Sequence, residues 1–271
     1  MNPENHYLEI NRVAWNNKTE IHIASDFYDH ANFLKGKSSL KPIELDLLGE
    51  IKGKSILHLQ CHFGQDSISL HRLGASVTGV DFSDKAIDEA KKIAIETNAD
   101  VRFICCDLYD LPQHLSESFD LVFTSYGTIG WLPDLNRWAG LITQFLKPNG
   151  KLVFVEFHPV VWMFDDDFTT VQYPYASSGP IHETYTGTYA DQQAPLTQEY
   201  VMWNHGISEV LSPLLSHGME INAFHEYDYS PYPCFRNTVE FEPGKFRISH
   251  LTPSIPMVYA VTATKKPGSV Q

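Results

Sequence analysis

The chain has 271 residues, enough for one α/β core with additions and short for two large domains. Its 33 acidic and 20 basic residues give a formal charge of −13 with no Lys/Arg-rich block, so neither a nucleic-acid groove nor an anionic membrane surface is expected as a partner. No apolar run reaches the ~18 residues of a membrane span, and Met1-Asn2-Pro3-Glu4 lacks the basic and apolar regions of a signal peptide, which predicts a cytoplasmic protein.

Residues before about Glu44 carry Tyr7, Trp15, His22, Phe27, Tyr28 and Phe33 without strand alternation. Tyr28 is a candidate substrate contact, since a phenol offers both a ring face and a hydroxyl. From Ser55 to Ser83 the pattern is sharper. Ile56, Leu57 and Leu59 form a short strand, Gln60-Cys61-His62-Phe63-Gly64 a turn, and Val77-Thr78-Gly79-Val80 a second strand ending at Asp81. A strand feeding a tight turn aims the next helix's free N–H groups at the strand's carboxyl end. An acid about 20 residues on can then take both hydroxyls of a ribose.

A dinucleotide turn wants G-x-G-x-x-G, because the backbone must approach a pyrophosphate closely. Only Gly64 is present; Gln60 and His62 stand where glycine is usual. That disfavours NAD or FAD and suits a nucleoside without phosphates, such as S-adenosylmethionine. Downstream, Val101 to Cys106 reads as a third strand ending at Asp107, and Phe119 to Ser125 as a fourth. The stripe Leu135, Trp138, Ala139, Ile142 and Leu146 marks a helix; the turn Lys147-Pro148-Asn149-Gly150 leads into a fifth strand, Lys151 to Phe157. Alternating strands and helices predict a parallel sheet.

These motifs resemble the class I S-adenosylmethionine-dependent methyltransferases, whose loop is G-x-G-x-G followed by an acid closing the second strand. Gln60, His62 and Gly64 lie at the three glycine positions and Cys61 between the first two; the run Leu57 to Gly64 is similar to a subgroup with an LHLQCHFG loop. His58 replaces the acid that commonly precedes the loop. The resemblance implies a three-layer α/β fold around a Rossmann-like seven-stranded sheet, mostly parallel with the last strand antiparallel. It implies an N-terminal helical cap over 1–46, a core over 47–158 and 204–271, and S-adenosylmethionine as cofactor, with S-adenosylhomocysteine as product. Gln60, Cys61, His62, Gly64, Asp81, Phe82, Asp107, Leu108 and Ser125 become the cofactor-binding candidates, Asp81 for the ribose and Asp107-Leu108 for the adenine.

Residues 159–203 interrupt the core with Tyr173, Tyr175, Tyr185, Tyr189 and Tyr200, the run Asp165-Asp166-Asp167, and several Pro and Gly. An insertion at a strand's carboxyl end overhangs the ligand crevice, so this is expected to be a substrate lid, with a homodimer contact as the alternative. Between Lys151 and Arg236 lie eleven acids and no Lys or Arg, so the lid itself cannot clamp a phosphate by ion pairing, and the acceptor is expected to be a small neutral or cationic molecule. Farther on, Ile207, Val210, Leu211, Leu214 and Leu215 mark a helix interrupted by Pro213. Met219 to Glu226 and Pro256 to Lys265 read as the sixth and seventh strands.

Methyl transfer is an in-line displacement that needs alignment in a dry pocket, and a base only if the acceptor must lose a proton. Tyr126 after the fourth strand and His158 after the fifth are the catalytic candidates, as a ring face for a sulfonium and as a general base. Trp131 and His182 are candidate substrate contacts, and His205 ranks lower. The four cysteines, Cys61, Cys105, Cys106 and Cys234, lack ligand-like spacing, so no metal or disulfide is expected; Cys105 and Cys106 read as two buried thiols. Two other readings stay open: a non-catalytic sensor or scaffold that binds S-adenosylmethionine or S-adenosylhomocysteine, and a nicotinamide-dependent reductase, which would need the missing pyrophosphate turn.

Overall fold

The structure, a computed structural model, describes residues 6–268; the Met1-Asn2-Pro3-Glu4 stretch read above lies outside them. The helices are α1 (His6–Ala24), α2 (His30–Leu34), α3 (Pro42–Leu48), α4 (Gln65–Arg72), α5 (Asp84–Glu96), α6 (Leu135–Phe145) and α7 (Ile207–Ser216). The strands are β1 (Ser55–Leu59), β2 (Ser76–Asp81), β3 (Val101–Cys105), β4 (Phe119–Ser125), β5 (Leu146–Phe157), β6 (Ile181–Thr186), β7 (Thr197–Met202), β8 (Met219–Tyr227), β9 (Thr238–Glu242), β10 (Lys245–Ile248) and β11 (Val258–Lys265).

Seven of them form one sheet in the order β3-β2-β1-β4-β5-β11-β8. β11 runs antiparallel to both β5 and β8, while the pairs from β3 to β5 are parallel. The expected Rossmann-like sheet, with its last strand antiparallel, is what the chain builds. Period-two alternation sends side chains to both faces. Leu57, Leu59, Val122, Leu152 and Phe154 pack with Trp138 and Ile142 of α6 and Val210 of α7, whereas Ile56, Leu121, Phe123 and Val153 pack with Leu48 of α3 and Leu70 of α4. The three layers follow from that division. The stripe on α6 is fully used: Leu135, Trp138, Ala139 and Ile142 are all buried.

Where the molecule departs from the sequence reading, the reasons are local. β5 begins at Leu146 instead of Lys151, because Leu146 already pairs with Phe119 across an irregular register. Pro213 does not interrupt α7, which runs from Ile207 to Ser216; Glu209 in its first turn receives the Gly206 N–H. Cys105 is exposed and Cys106 half-buried, contrary to the expected buried pair. β3 is the edge strand of the sheet, so its last residues lack a neighbour on one side. The antiparallel hairpin β9–β10 was not foreseen.

α1 and the lid region meet above the sheet's carboxyl edge. The Asn11 side chain acts as a strand partner for β7: its Nδ2 donates to the Val201 carbonyl at 2.7 Å and its Oδ1 accepts the Val201 N–H at 2.9 Å. β6 and β7 form an antiparallel hairpin, paired from Ile181–Met202 to Thr186–Thr197. The buried face of α1 is polar, comprising Asn11, Lys18, Thr19 and His22 with Ala14.

Candidate active site

The turn after β1 adopts a conformation that its composition does not suggest. Gln60, His62 and Gly64 have φ of 54°, 50° and 78°, so all three glycine-like positions are left-handed although two carry side chains. Their neighbours hold them there. The Gln60 amide donates to the Thr128 carbonyl at 2.8 Å, Cys61 N–H to the Val80 carbonyl at 2.9 Å, and His62 N–H to Asp81 Oδ2 at 2.8 Å. At Gly64 a side chain is sterically barred, since a Cβ would sit 2.6 Å from the Phe103 ring. Cys61 is packed inside, and burial holds its thiol well above the ordinary range, which fits a packing role rather than a reactive one.

Asp81 closes β2 beneath this turn. Besides the His62 N–H it accepts the Ser83 N–H on Oδ1 at 2.9 Å, and burial pushes its carboxyl up to about 6 against these hydrogen bonds. With Gln60, Phe82 and Trp131 it lines both a large cavity and an adjoining narrow slot. Asp107 and Leu108 line the slot, which Tyr7, Leu8 and Asn11 of α1 roof over. Asp107 Oδ1 accepts the Tyr109 N–H at 3.1 Å, and desolvation raises its carboxyl.

The cavity, about 1020 Å³, spreads from the slot under the lid. Ser125, Tyr126, Trp131, Tyr28 and His182 all line it. The Tyr126 phenol donates to Glu44 Oε2 at 2.9 Å, and burial lifts that carboxyl to about 8. The Tyr28 hydroxyl meets that of Tyr189, so α1's following loop and the lid touch across the space. The Trp131 indole donates to the Gly127 carbonyl at 2.8 Å. Glu156, a lone carboxylate inside the apolar run of β5, fixes this post-β4 loop. It accepts the N–H groups of Gly127, Thr128 at 2.7 Å, Ile129 at 3.2 Å and Phe157 at 2.6 Å, plus the Thr128 hydroxyl at 3.0 Å.

His158 is corrected by its surroundings. It is absent from the cavity wall; its Nε2 lies 3.0 Å from Glu226 Oε1 and its ring abuts Tyr259, a tie between the end of β5 and β8. His205 likewise bonds the Leu132 carbonyl at 2.8 Å and is buried away from the cavity. Several charged groups that motif and spacing do not single out also line the cavity, among them Lys18, Asp66 and Glu156. The signals were the lone charge in Val153-Phe154-Val155-Glu156-Phe157 and the missing apolar stripe on α1.

The wall fits a polar nucleoside. Trp15 Nε1, Gln60 Oε1 and His62 Nδ1 are buried without a hydrogen-bond partner among the described residues, and all three residues line the cavity. A bound molecule with donors and acceptors would pair them, whereas leaving such atoms unpaired is unfavourable by roughly 1–3 kcal/mol each. His62 bonds His22 at 2.9 Å, and burial drives the His62 ring down to about 3, so this pair stays neutral near pH 7.

A methyltransferase-domain family model matches residues 56–150. A ubiquinone biosynthesis O-methyltransferase from Coxiella burnetii is 31% identical over 135 residues, 49% of this chain and 57% of that protein, so the chain spans little more than half of that relative's length. Among solved structures, an S-adenosylmethionine-dependent methyltransferase from Mesorhizobium loti superposes with a TM-score of 0.56 at 20% identity, covering 86% of this chain and all of the other (100%). One from Clostridium acetobutylicum gives 0.57 at 13% identity, over 95% and 99%. Residues 56–150 thus match a methyltransferase domain, and the sheet is similar in fold to those of S-adenosylmethionine-dependent methyltransferases.

Proposed function

We propose that the protein is an S-adenosylmethionine-dependent methyltransferase acting on a small neutral or cationic molecule held under the lid. One observation carries this: the turn Gln60–Gly64 and Asp81 line the cavity, Asp107 lines the adjoining slot, and the two share Gln60, Asp81, Phe82 and Trp131 in their walls. Asp81 would take the ribose hydroxyls, Asp107 and Leu108 the base, and Gln60, Phe82 and Ser125 the flanks. The bound cofactor supplies an activated methyl group.

What the chain's own residues contribute is placement and exclusion of water. α1 with its following loop and the lid meet beside the cavity through the Asn11–Val201 pair and the Tyr28–Tyr189 contact, which would limit the access of water. Glu156 keeps Tyr126 and Trp131 in position along the wall. The neutral or cationic acceptor is supported by the lining itself, which holds nine carboxylates and four basic side chains. Of those bases, Arg236 sits 3.5 Å from Asp166 and 3.7 Å from Asp167, so the lid's flanking cation is already occupied. Tyr126 remains the candidate ring face for a sulfonium.

The test is turnover. Incubation with S-adenosylmethionine and a panel of small amines, phenols, thiols and neutral heterocycles should release S-adenosylhomocysteine in an acceptor-dependent way. Cofactor binding without turnover across the panel would favour the sensor reading.

A further inference from the structure

Behind the cavity wall, Glu44 of α3 is fully buried, and both of its carboxyl oxygens accept: Oε1 takes the Lys41 N–H at 3.1 Å and Oε2 the Tyr126 phenol at 2.9 Å. Those two bonds belong to the base form, since a proton on either oxygen would displace a donor. The first is a helix-cap contact, so the start of α3 fixes the carboxylate in place. Tyr126 lines the cavity, and its oxygen, already a donor, keeps its own acceptor site. Tyr232 lines the cavity beside it, ring centroids 5.1 Å apart, and its hydroxyl makes no hydrogen bond among the described residues. Phe27, Tyr232, Tyr126, Phe157 and Phe235 run along this wall in unbroken ring contact, with centroids 4.9 to 5.5 Å apart. Such a wall suits a flat aromatic molecule, and the two phenols suit a hydroxyl on it.

We propose that the methyl acceptor is an aromatic hydroxyl compound, and that Tyr126 takes its hydroxyl proton while passing its own to Glu44. This rests on the methyltransferase reading and adds to it an acceptor class and a proton path. The electron pair of the acceptor's O–H bond becomes the new oxygen–methyl bond, and the pair of the breaking carbon–sulfur bond stays on sulfur. The O–H proton goes to the Tyr126 oxygen and the Tyr126 proton to Glu44 Oε2, from which it returns to solvent after release of product. Tyr126 thus touches the acceptor, and Glu44 acts through it. The titratable groups around Glu44 are Lys41 before α3, Asp66 on α4, Tyr126 after β4, Tyr227 on β8 and Tyr232 beyond it. Burial, and then Asp66, lifts the Glu44 carboxyl to about 8, so its base form grows as pH rises through that value. A base of that strength is close enough to a phenol at ~10 to take the proton as bonding begins.

Initial rates with S-adenosylmethionine compare 1-naphthol, a weak acid, with 4-nitrophenol, which is already ionised in mild alkali and needs no base. The wild type should turn over both, with kcat for 1-naphthol rising as pH climbs through about 8. Glu44→Gln keeps an oxygen for the Tyr126 phenol. It should lower kcat for 1-naphthol about 100-fold and for 4-nitrophenol by less than about tenfold, and remove the rise near that pH. Its affinity for 1-naphthol in the S-adenosylhomocysteine complex, read by calorimetry, should stay within about twofold of the wild type. Tyr126→Phe should show the same split between the two phenols, and the double variant no further loss. Independently of turnover, infrared titration of the wild type should show a protonated-carboxyl band that appears as pH falls through about 8 and is missing from Glu44→Gln. Where Glu44→Gln fails to fold, Tyr126→Phe and the wild-type profile carry the test. Equal losses with both phenols, unchanged rates or the absence of that band would overturn the proposal and leave the methyltransferase reading intact. So would a wild type that binds S-adenosylhomocysteine but methylates neither phenol. A folded wild type that does not bind S-adenosylhomocysteine would remove that reading and the proposal together.

Discussion

The N–H of His62 donates to the Oδ2 of Asp81 at 2.8 Å, so the residue standing at a glycine position in the turn is tied directly to the acid that closes β2. That bond lets a side-chain-bearing residue hold a left-handed backbone, and it orients the carboxylate toward the crevice. The remaining lone pairs of Asp81 are what a ribose would use. Burial has placed this carboxyl at about 6, close enough to neutrality for its ionisation to govern binding.

Affinity for S-adenosylhomocysteine should therefore fall as pH drops below about 6, approaching tenfold per pH unit once Asp81 is mostly protonated. Titrations at pH 7, 6 and 5 measure it. In Asp81→Asn the profile should be flat over that range and weaker throughout.

Gly64 and Gly53 separate backbone strain from steric exclusion, since their φ values are 78° and 76° but only Gly64 faces Phe103. Gly53→Ala should lower unfolding free energy by about 1 kcal/mol, the strain of a left-handed alanine. Gly64→Ala should lower it by about 3 kcal/mol, strain plus overpacking, in urea melts of both variants.

Glu156→Gln keeps the shape of the side chain but turns one acceptor oxygen into a donor facing backbone N–H groups. The expected loss is about 3 kcal/mol of stability, with weakened cofactor binding because the loop of Tyr126 and Trp131 is freed. Chemical denaturation and a cofactor titration read the two effects separately.

His58 is buried against Ser67, and burial depresses its ring to about 3. A histidine depressed in the fold contributes fully above its unfolded pKa of ~6.5 and loses that contribution as pH falls toward the folded value. His58→Gln should remove about 1.4 kcal/mol per pH unit from the acid-side slope of stability between pH 6 and 4. Urea melts at those pH values check it.

The sheet could be read from the chain because its strands are short apolar runs bounded by turn residues, and Asp81, Asp107 and the turn follow from position along those strands. Side-chain partnerships were hidden, as they arise between distant segments. Lys18 and Asn11 make a polar inner face on α1, so apolar periodicity could not find that helix's orientation. His158 looked catalytic from its place at a strand end, but its ring turns toward β8 and Glu226 instead of the cavity. Cys105 ends β3 and Cys106 follows it, at an edge of the sheet that the sequence alone does not reveal.

Isothermal titration of S-adenosylhomocysteine into the wild type and into Asp81→Ala tests the central claim most directly. The account predicts saturable one-site binding by the wild type and affinity at least about tenfold lower in the variant, the loss of a charge-assisted hydrogen bond. No heat of binding in folded wild-type protein, or equal affinity in the two proteins, would contradict it.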